Sequence, residues 1–344
     1  MIPCRPLVQG EFGHEPSYLV RSEEDFLTTW QPLLLLAFYL SLQVSNLRPA
    51  FLPPIKMPDI VTGVGYLSDL PLYKTEKPYY VFWAVGDNGE KPLPATNIAT
   101  ETYDGITVAD IRGRESSFRL ETHGFEILQH STKIPLPLDS AGAVEAYKTE
   151  TEQALKDRFD AEVVHCFETR IRRNDQETHD SRVRDFRDPL LAEPPAVATH
   201  VDATVNSGRN MIRNHLPSEL HHLLGTNRRV RLVNTWRPML PVIEDLPLAF
   251  TDFFTVNRHD LVAADRIIPT GEGEYYYVKH NSNHSWYWLS NMTWHEPIML
   301  LTYDTRPGNG AWYCAHTAVE NPLARGDAPK RQSVETRSIV ISRD

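Results

Sequence analysis

Beyond Pro195 the chain reads as eight short apolar and β-branched runs, at 197–202, 229–236, 261–268, 275–279, 286–289, 298–304, 312–317 and 333–341. Pro, Gly and Asn turns separate them, and almost no helix intervenes. Strands that follow one another in this way build antiparallel sandwiches or jelly rolls rather than parallel α/β sheets. The predicted fold is therefore mainly β with flanking helices, an antiparallel sandwich or jelly roll.

Upstream, residues 80–129 are also strand-like, with β-rich pieces at 79–83 and 105–108 broken by Asp-Asn-Gly and Arg-Gly-Arg turns. One helix is well marked. Asp139 and Ser140 are candidate N-caps, and Val144, Tyr147, Thr151, Ala154, Leu155 and Phe159 recur at helical spacing opposite Glu145, Lys148, Glu152 and Lys156. That apolar stripe is read as core packing. A strand at 163–171 follows, then a charged stretch at 172–187 read as an exposed loop. A short helix near Ser218 is expected to hold His221 and His222 in solvent, and Thr293 and Glu296 have capping-box spacing.

With 344 residues and 41% hydrophobic content, one large domain is favoured over two. Residues 1–344 are expected to form it, with an irregular extension at 1–60 and the jelly-roll core at 161–344. The apolar run at 33–44 is shorter than the roughly 18–20 residues of a membrane span. It follows acidic rather than basic residues, so it is read as a buried helix and not as a signal peptide. Forty-five acidic residues against 35 basic give a net charge of −10, with no long basic run. Nucleic acid and anionic membrane are thereby disfavoured, and a small molecule is the expected partner, with a homodimer as the assembly. Cys4, Cys166 and Cys314 form no CxxC pair, which fits reduced thiols in the cytoplasm.

The chemistry-bearing pattern is His200-Val-Asp202 on one strand with a distant His316 in Trp-Tyr-Cys-Ala-His-Thr. Residues two apart on a strand point to the same side, so His200 and Asp202 share a face. One further histidine completes a two-histidine, one-carboxylate triad, which suits Fe(II) and leaves positions free for a 2-oxo acid and O2. A lone His-x-Asp triplet is weak, since fourteen histidines make one such triplet ordinary. The order of the residues and the β context strengthen it. On the last strand Arg331, Ser333, Glu335 and Arg337 share a face, and a buried arginine fork suits the distal carboxylate of 2-oxoglutarate. Arg337, followed by Ile339 and Val340, ranks ahead of Arg331, which lies nearer a loop. Asn234, Trp236, Arg237 and Trp288 are the expected substrate-lining residues.

Several longer segments carry a resemblance. They are Val233-Asn-Thr-Trp-Arg-Pro238, Trp286-Tyr-Trp-Leu-Ser-Asn-Met-Thr-Trp-His-Glu296, His316-Thr-Ala-Val-Glu-Asn-Pro322 and Arg331-Gln-Ser-Val-Glu-Thr-Arg337, with Leu70-Pro-Leu-Tyr73, Asp110-Ile-Arg-Gly113 and His123-Gly-Phe125 upstream. Over roughly residues 66–341 the chain resembles the AsaB-like hydroxylase/desaturase family, fungal proteins related to cephamycin methoxylase-associated and gibberellin desaturase-type proteins. The resemblance implies a double-stranded β-helix and Fe(II)/2-oxoglutarate-dependent dioxygenase activity on an unactivated C–H bond. Asn321 stands where the family more often has Asp, and the first sixty residues match no part of it. Two other readings use the same residues: a jelly-roll binding protein without turnover, and a cupin-like metal isomerase or hydrolase for which Arg337 would be dispensable.

Overall fold

The computed structural model describes residues 58–81, 96–180, 185–225, 227–268 and 271–343, all within one compact unit, Pro54–Asp344. The run at 33–44, and the expected extension as far as residue 57, lie outside the described residues.

Fifteen strands form two sheets among the described residues. They are β1 Ile60–Leu67, β2 Tyr79–Val81, β3 Thr100–Asp110, β4 Phe125–Ile127, β5 Ala161–Arg173, β6 Ala192–Glu193, β7 His200–Val201, β8 Arg228–Pro238, β9 Leu248–Thr251, β10 Leu261–Ile268, β11 Gly271–Val278, β12 Trp286–Trp288, β13 Ile298–Asp304, β14 His316–Ala318 and β15 Gln332–Arg343. The larger sheet runs β1-β3-β12-β9-β14-β7-β11-β10-β2 and the smaller β4-β13-β8-β15-β5-β6. Pairing is mostly antiparallel, with β2/β10, β3/β12 and β5/β6 parallel. This is the expected jelly roll, and β1 to β4 show that its sheets also draw on chain before residue 161.

One helix covers the outer face of the smaller sheet and a second covers one end of its inner face. The first, α1 (Ala141–Phe159), starts where the Ser140 hydroxyl accepts from the Ala143 amide at 3.2 Å. Its buried residues are Val144, Tyr147, Thr151 and Leu155, as the helical spacing predicts. Val144 and Tyr147 pack with Val334 and Met239, and Leu155 with Val233 and Val340. Each fully buried large apolar side chain contributes about 1.5–3 kcal/mol.

The second helix, α2 (Val205–His215), was absent from the sequence-based expectation. Arg, Asn and Ser dilute its apolar face, yet Thr204 caps it and Ile212 packs with Leu216 and Leu223 against Leu232, Ile339 and Ile341. Because both faces of the sheet are covered, β8 and β15 are buried along almost their whole lengths. His221 and His222 are exposed on a 3-10 turn, Ser218–Leu223, as expected. Thr293 and Glu296 close a turn in which the Glu296 carboxylate accepts from the Thr293 amide at 3.0 Å.

Candidate metal centre

Strands β7 and β14 are neighbours, and their register sets His316 directly opposite His200. Continuing across the sheet, Tyr277 pairs with His200, Phe250 with His316 and Tyr287 with Phe250. These five side chains therefore share the interior face, and Asp202, two residues beyond His200, turns the same way. Candidate ligand atoms of His200, Asp202 and His316 all lie within 4.8 Å of one another. Each Nε2 is 3.8 Å from a carboxylate oxygen of Asp202, too far for a hydrogen bond. The ring centroids are 4.5 Å apart.

Backbone carbonyls fix the orientation of both rings. The Nδ1 of His200 lies 2.8 Å from the Ala198 carbonyl and that of His316 lies 3.1 Å from the Cys314 carbonyl. Each Nδ1–H donates to its carbonyl, and each Nε2 lone pair faces the carboxylate, the arrangement that a metal-binding imidazole requires. Burial, then the neighbouring His316, pulls the His200 pKa down to about 3. The ring is neutral at pH 7. Burial pushes the Asp202 carboxyl up, but Arg337 and then the two histidines outweigh it and hold the group well below the usual carboxylate range. Two imidazoles presenting Nε2 and an ionised carboxylate on one side of a shared space fit a divalent ion such as Fe(II).

The rear of Asp202 is held from the smaller sheet. Asn234 Nδ2 donates to Oδ2 at 2.5 Å and Arg337 Nη2 to Oδ1 at 2.5 Å. Arg337 is otherwise engaged too: Nε donates to Glu335 at 3.2 Å, and Nη1 to Glu168 at 3.3 Å and to the Tyr275 hydroxyl at 3.1 Å. Burial disfavours its charge, but Asp202, Tyr275, Glu168 and Glu335 raise its pKa well above the ordinary value.

Arg331 is buried in a different setting. Its Nε donates to Ser333 at 3.2 Å and Nη1 to the Leu246 carbonyl at 2.8 Å, and its guanidinium lies 5.0 Å from the centre of the Trp236 ring. Burial, then Arg172, lowers its pKa to about 9, the mark of a cation short of counter-charge. A small pocket is lined by Arg331, Trp236, His200, His316, Arg172 and Glu335, among others. The indole N–H of Trp236, buried on that wall, has no hydrogen-bond partner among the described residues. A larger cavity of about 330 Å³ is lined by His200 and Asp202, and shares Arg172, Ala196 and His200 with the small pocket.

Of the residues expected to line a substrate pocket, the fold brings Asn234 and Trp236 to the interior and removes the other two. Arg237 pairs in register with Val334, on the face opposite Trp236 and Glu335. There it donates to the Tyr147 hydroxyl, to the carbonyls of His130 and Trp294, and to the His130 ring. Its expected place in the substrate lining is corrected, since carbonyls and a phenol beneath α1 satisfy it. Trp288 pairs with Ala249 while Tyr287 pairs with Phe250, so Trp288 packs on the outer face with Trp286 and Val201. Period two decides both cases.

Sequence reasoning passed over Glu168, Arg170, Arg172, Tyr275 and Tyr277. Their period-two spacing was a usable signal, but placing a loop boundary at Arg172 hid that residue. β5 in fact runs on through Arg173.

A jelly roll with two histidines and an aspartate converging inside it defines a mononuclear metal oxidoreductase of the non-haem type. A family model described as an oxidoreductase/YMDC permease-like domain matches residues 65–341. The chain belongs to that family, and its relatives carry the hydroxylase/desaturase name to which the motifs pointed. Hydroxylase/desaturase efuI of Hormonema carpetanum is 29% identical over 253 residues, which is 70% of this chain and 84% of the relative. The Fe(II)/2-oxoglutarate-dependent dioxygenase nvfI of Aspergillus novofumigatus is 26% identical over 241 residues, 67% of this chain and 81% of the relative. The solved structure of the iron and alpha-ketoglutarate-dependent endoperoxidase NvfI has the same fold, with a TM-score of 0.68 and 22% identity over 83% of this chain and 99% of that one.

Proposed function

We propose that this protein is an Fe(II)/2-oxoglutarate-dependent oxygenase that hydroxylates, desaturates or oxidatively cyclises a small natural product. The observation that carries the reading is the His200, Asp202 and His316 set, whose ligand atoms lie within 4.8 Å of one another. Its relatives named as dioxygenases and hydroxylase/desaturases support the same chemistry. When bound, iron with 2-oxoglutarate and O2 supplies an oxidant that takes hydrogen from an unactivated C–H bond.

The residues divide the remaining work. His200, His316 and Asp202 hold the ion on one side, leaving the other side for cosubstrate and O2. Asn234 and Arg337 orient Asp202, the kind of support that sets metal affinity. The distal carboxylate of 2-oxoglutarate is held by Arg331 rather than Arg337, because three carboxylates already neutralise Arg337 while Arg331 borders the histidines without one. The unpartnered Trp236 N–H supports an acceptor in the same pocket. The cavity of about 330 Å³ takes the substrate, a size suited to a small organic molecule.

The reading extends to residues 1–344 acting as one catalytic domain, as a homodimer, in the cytoplasm. Cys166 and Cys314, both free and buried, suit a reducing compartment. No helix among the described residues is long and apolar enough to cross a membrane. Light scattering tests the dimer, whose mass would be twice 39.4 kDa. The decisive experiment is anaerobic addition of 2-oxoglutarate to the Fe(II)-loaded protein. A weak visible charge-transfer band is expected, and His200→Ala is expected to abolish it. A colourless wild-type sample would overturn the reading.

A further inference from the structure

On the interior face of the smaller sheet, Glu168 pairs with Arg337, Arg170 with Glu335 and Arg172 with Ser333. The first two positions belong to a neutralised network, in which Arg170 Nε donates to Glu168 at 2.8 Å and Nη2 to the Tyr275 hydroxyl at 3.0 Å. Arg172 is different. Its hydrogen bond runs from Nη1 to the Pro194 carbonyl at 2.8 Å, and no carboxylate of a described residue pairs with it.

The other charges along the larger cavity are answered within the protein: Asp265 by Lys77, Asp202 by Arg337, and Arg266 by Glu193 at 3.7 Å. Arg172 is half-buried and borders both that cavity and the pocket beneath Arg331 and the two histidines. A guanidinium keeps its charge at any working pH, and a cation withdrawn from water without a counter-charge is costly. With Arg331 assigned to the cosubstrate, one cation on the cavity wall is left for something else.

We propose that Arg172 receives a carboxylate of the substrate itself, so that the substrate class is an acidic small molecule with an apolar body. The inference rests on the oxygenase reading above and adds the substrate's chemistry to it. Four of the five guanidinium N–H groups remain after the bond to Pro194, enough for a bidentate grip on a carboxylate. Ile98, Pro195, Ala196, Val197 and Tyr277 provide the apolar wall for the rest of the molecule. Fixing the acidic end beside His200 sets which C–H bond faces the metal.

The test uses the full chain with Fe(II) and 2-oxoglutarate under anaerobic conditions, and 4-phenylbutanoate and its methyl ester as probes, titrated by calorimetry. The acid is expected to bind roughly tenfold or more tightly than the ester, the size of a net hydrogen bond to a charged group. In Arg172→Gln that preference falls below about threefold, and Arg172→Lys, which keeps the charge, restores part of it. Titration of the charge-transfer band with 2-oxoglutarate, which reports the iron and cosubstrate site, is the second readout. Equal binding of acid and ester by the wild type, or binding of neither, overturns the proposal. So does an Arg172→Gln variant that loses 2-oxoglutarate affinity and keeps the acid preference, since Arg172 would then serve the cosubstrate. A wild type without the band sinks the oxygenase reading and this inference with it, whereas a band without acid preference sinks the role of Arg172 alone.

Discussion

Replacing Arg331 by methionine separates the two arginines of the last strand. Of the five guanidinium N–H groups, Nε is taken by Ser333 and one hydrogen of Nη1 by the Leu246 carbonyl. Three remain on a pocket that also contains His200 and His316. Truncating one partner of a buried charge pair costs about 2–5 kcal/mol, so the half-saturating 2-oxoglutarate concentration should rise roughly 30-fold to several-thousand-fold. Arg331→Lys keeps the charge and loses the fork, for a loss of roughly tenfold. The assay is growth of the charge-transfer band with 2-oxoglutarate in the anaerobic iron protein, with iron affinity measured separately against a chromogenic chelator. Arg337→Gln should show the opposite split. It removes the Asp202 partner at 2.5 Å, so iron affinity should fall roughly 10–100-fold. The reasoning is refuted if Arg331→Met binds 2-oxoglutarate within threefold of wild type, or if Arg337→Gln loses the cosubstrate and keeps the metal.

Other perturbations test the scaffold. A Cβ at Gly65 would lie 2.2 Å from the Val197 carbonyl, and the Gly65 carbonyl accepts from both the amide and the hydroxyl of Thr199, next to His200. Gly65→Ala should therefore cost about 1–3 kcal/mol and weaken iron binding as well, read by thermal unfolding and chelator competition. Arg237→Met leaves the buried Tyr147 hydroxyl and the His130 and Trp294 carbonyls without their donor. It should lower stability by about 3 kcal/mol with iron and 2-oxoglutarate affinities unchanged, and a loss of either would return Arg237 to the site. Burial pushes Glu168 up, but Arg170 and Arg337 outweigh it and hold its pKa at about 2 against an ordinary 4.5. A depressed folded-state pKa stabilises the fold above the unfolded value and ceases to do so as pH falls through the folded one. The unfolding midpoints of wild type and Glu168→Gln should thus differ at pH 6 and converge between pH 4.5 and 2. The difference should be modest, about 1 kcal/mol, because the Glu168 side chain is 34% exposed. A gap that widens on acidification would contradict the ion pairing.

His316 joins His200 and Asp202 only through the register of β14 on β7, and β1 and β9 went unmarked, but the sequence by itself determined the β character, most strand positions, the α1 stripe and the shared side of His200 and Asp202. Each of these is local: turn residues mark strand ends, period two places His200 and Asp202 on one side, and helical spacing selects Val144, Tyr147, Thr151 and Leu155. Asn234 and Trp236 also followed from alternation, once the interior face was known. Which face is interior is not a local property. Arg237 and Trp288 are as apolar in context as their neighbours, and a single step of register carries them to the outer side. The roles of the arginines depended on tertiary structure for the same reason. Arg331 and Arg337 share a strand and a face, but only the packing of β5, β7 and β11 against β15 shows that acids surround Arg337 and not Arg331. Arg172, read from composition as part of a charged loop, becomes a wall of the cavity because β5 continues for two residues past the last apolar one. Charge in a folded protein acts through its neighbours, and two of the three acids around Arg337, Glu168 and Asp202, lie 169 and 135 residues away along the chain.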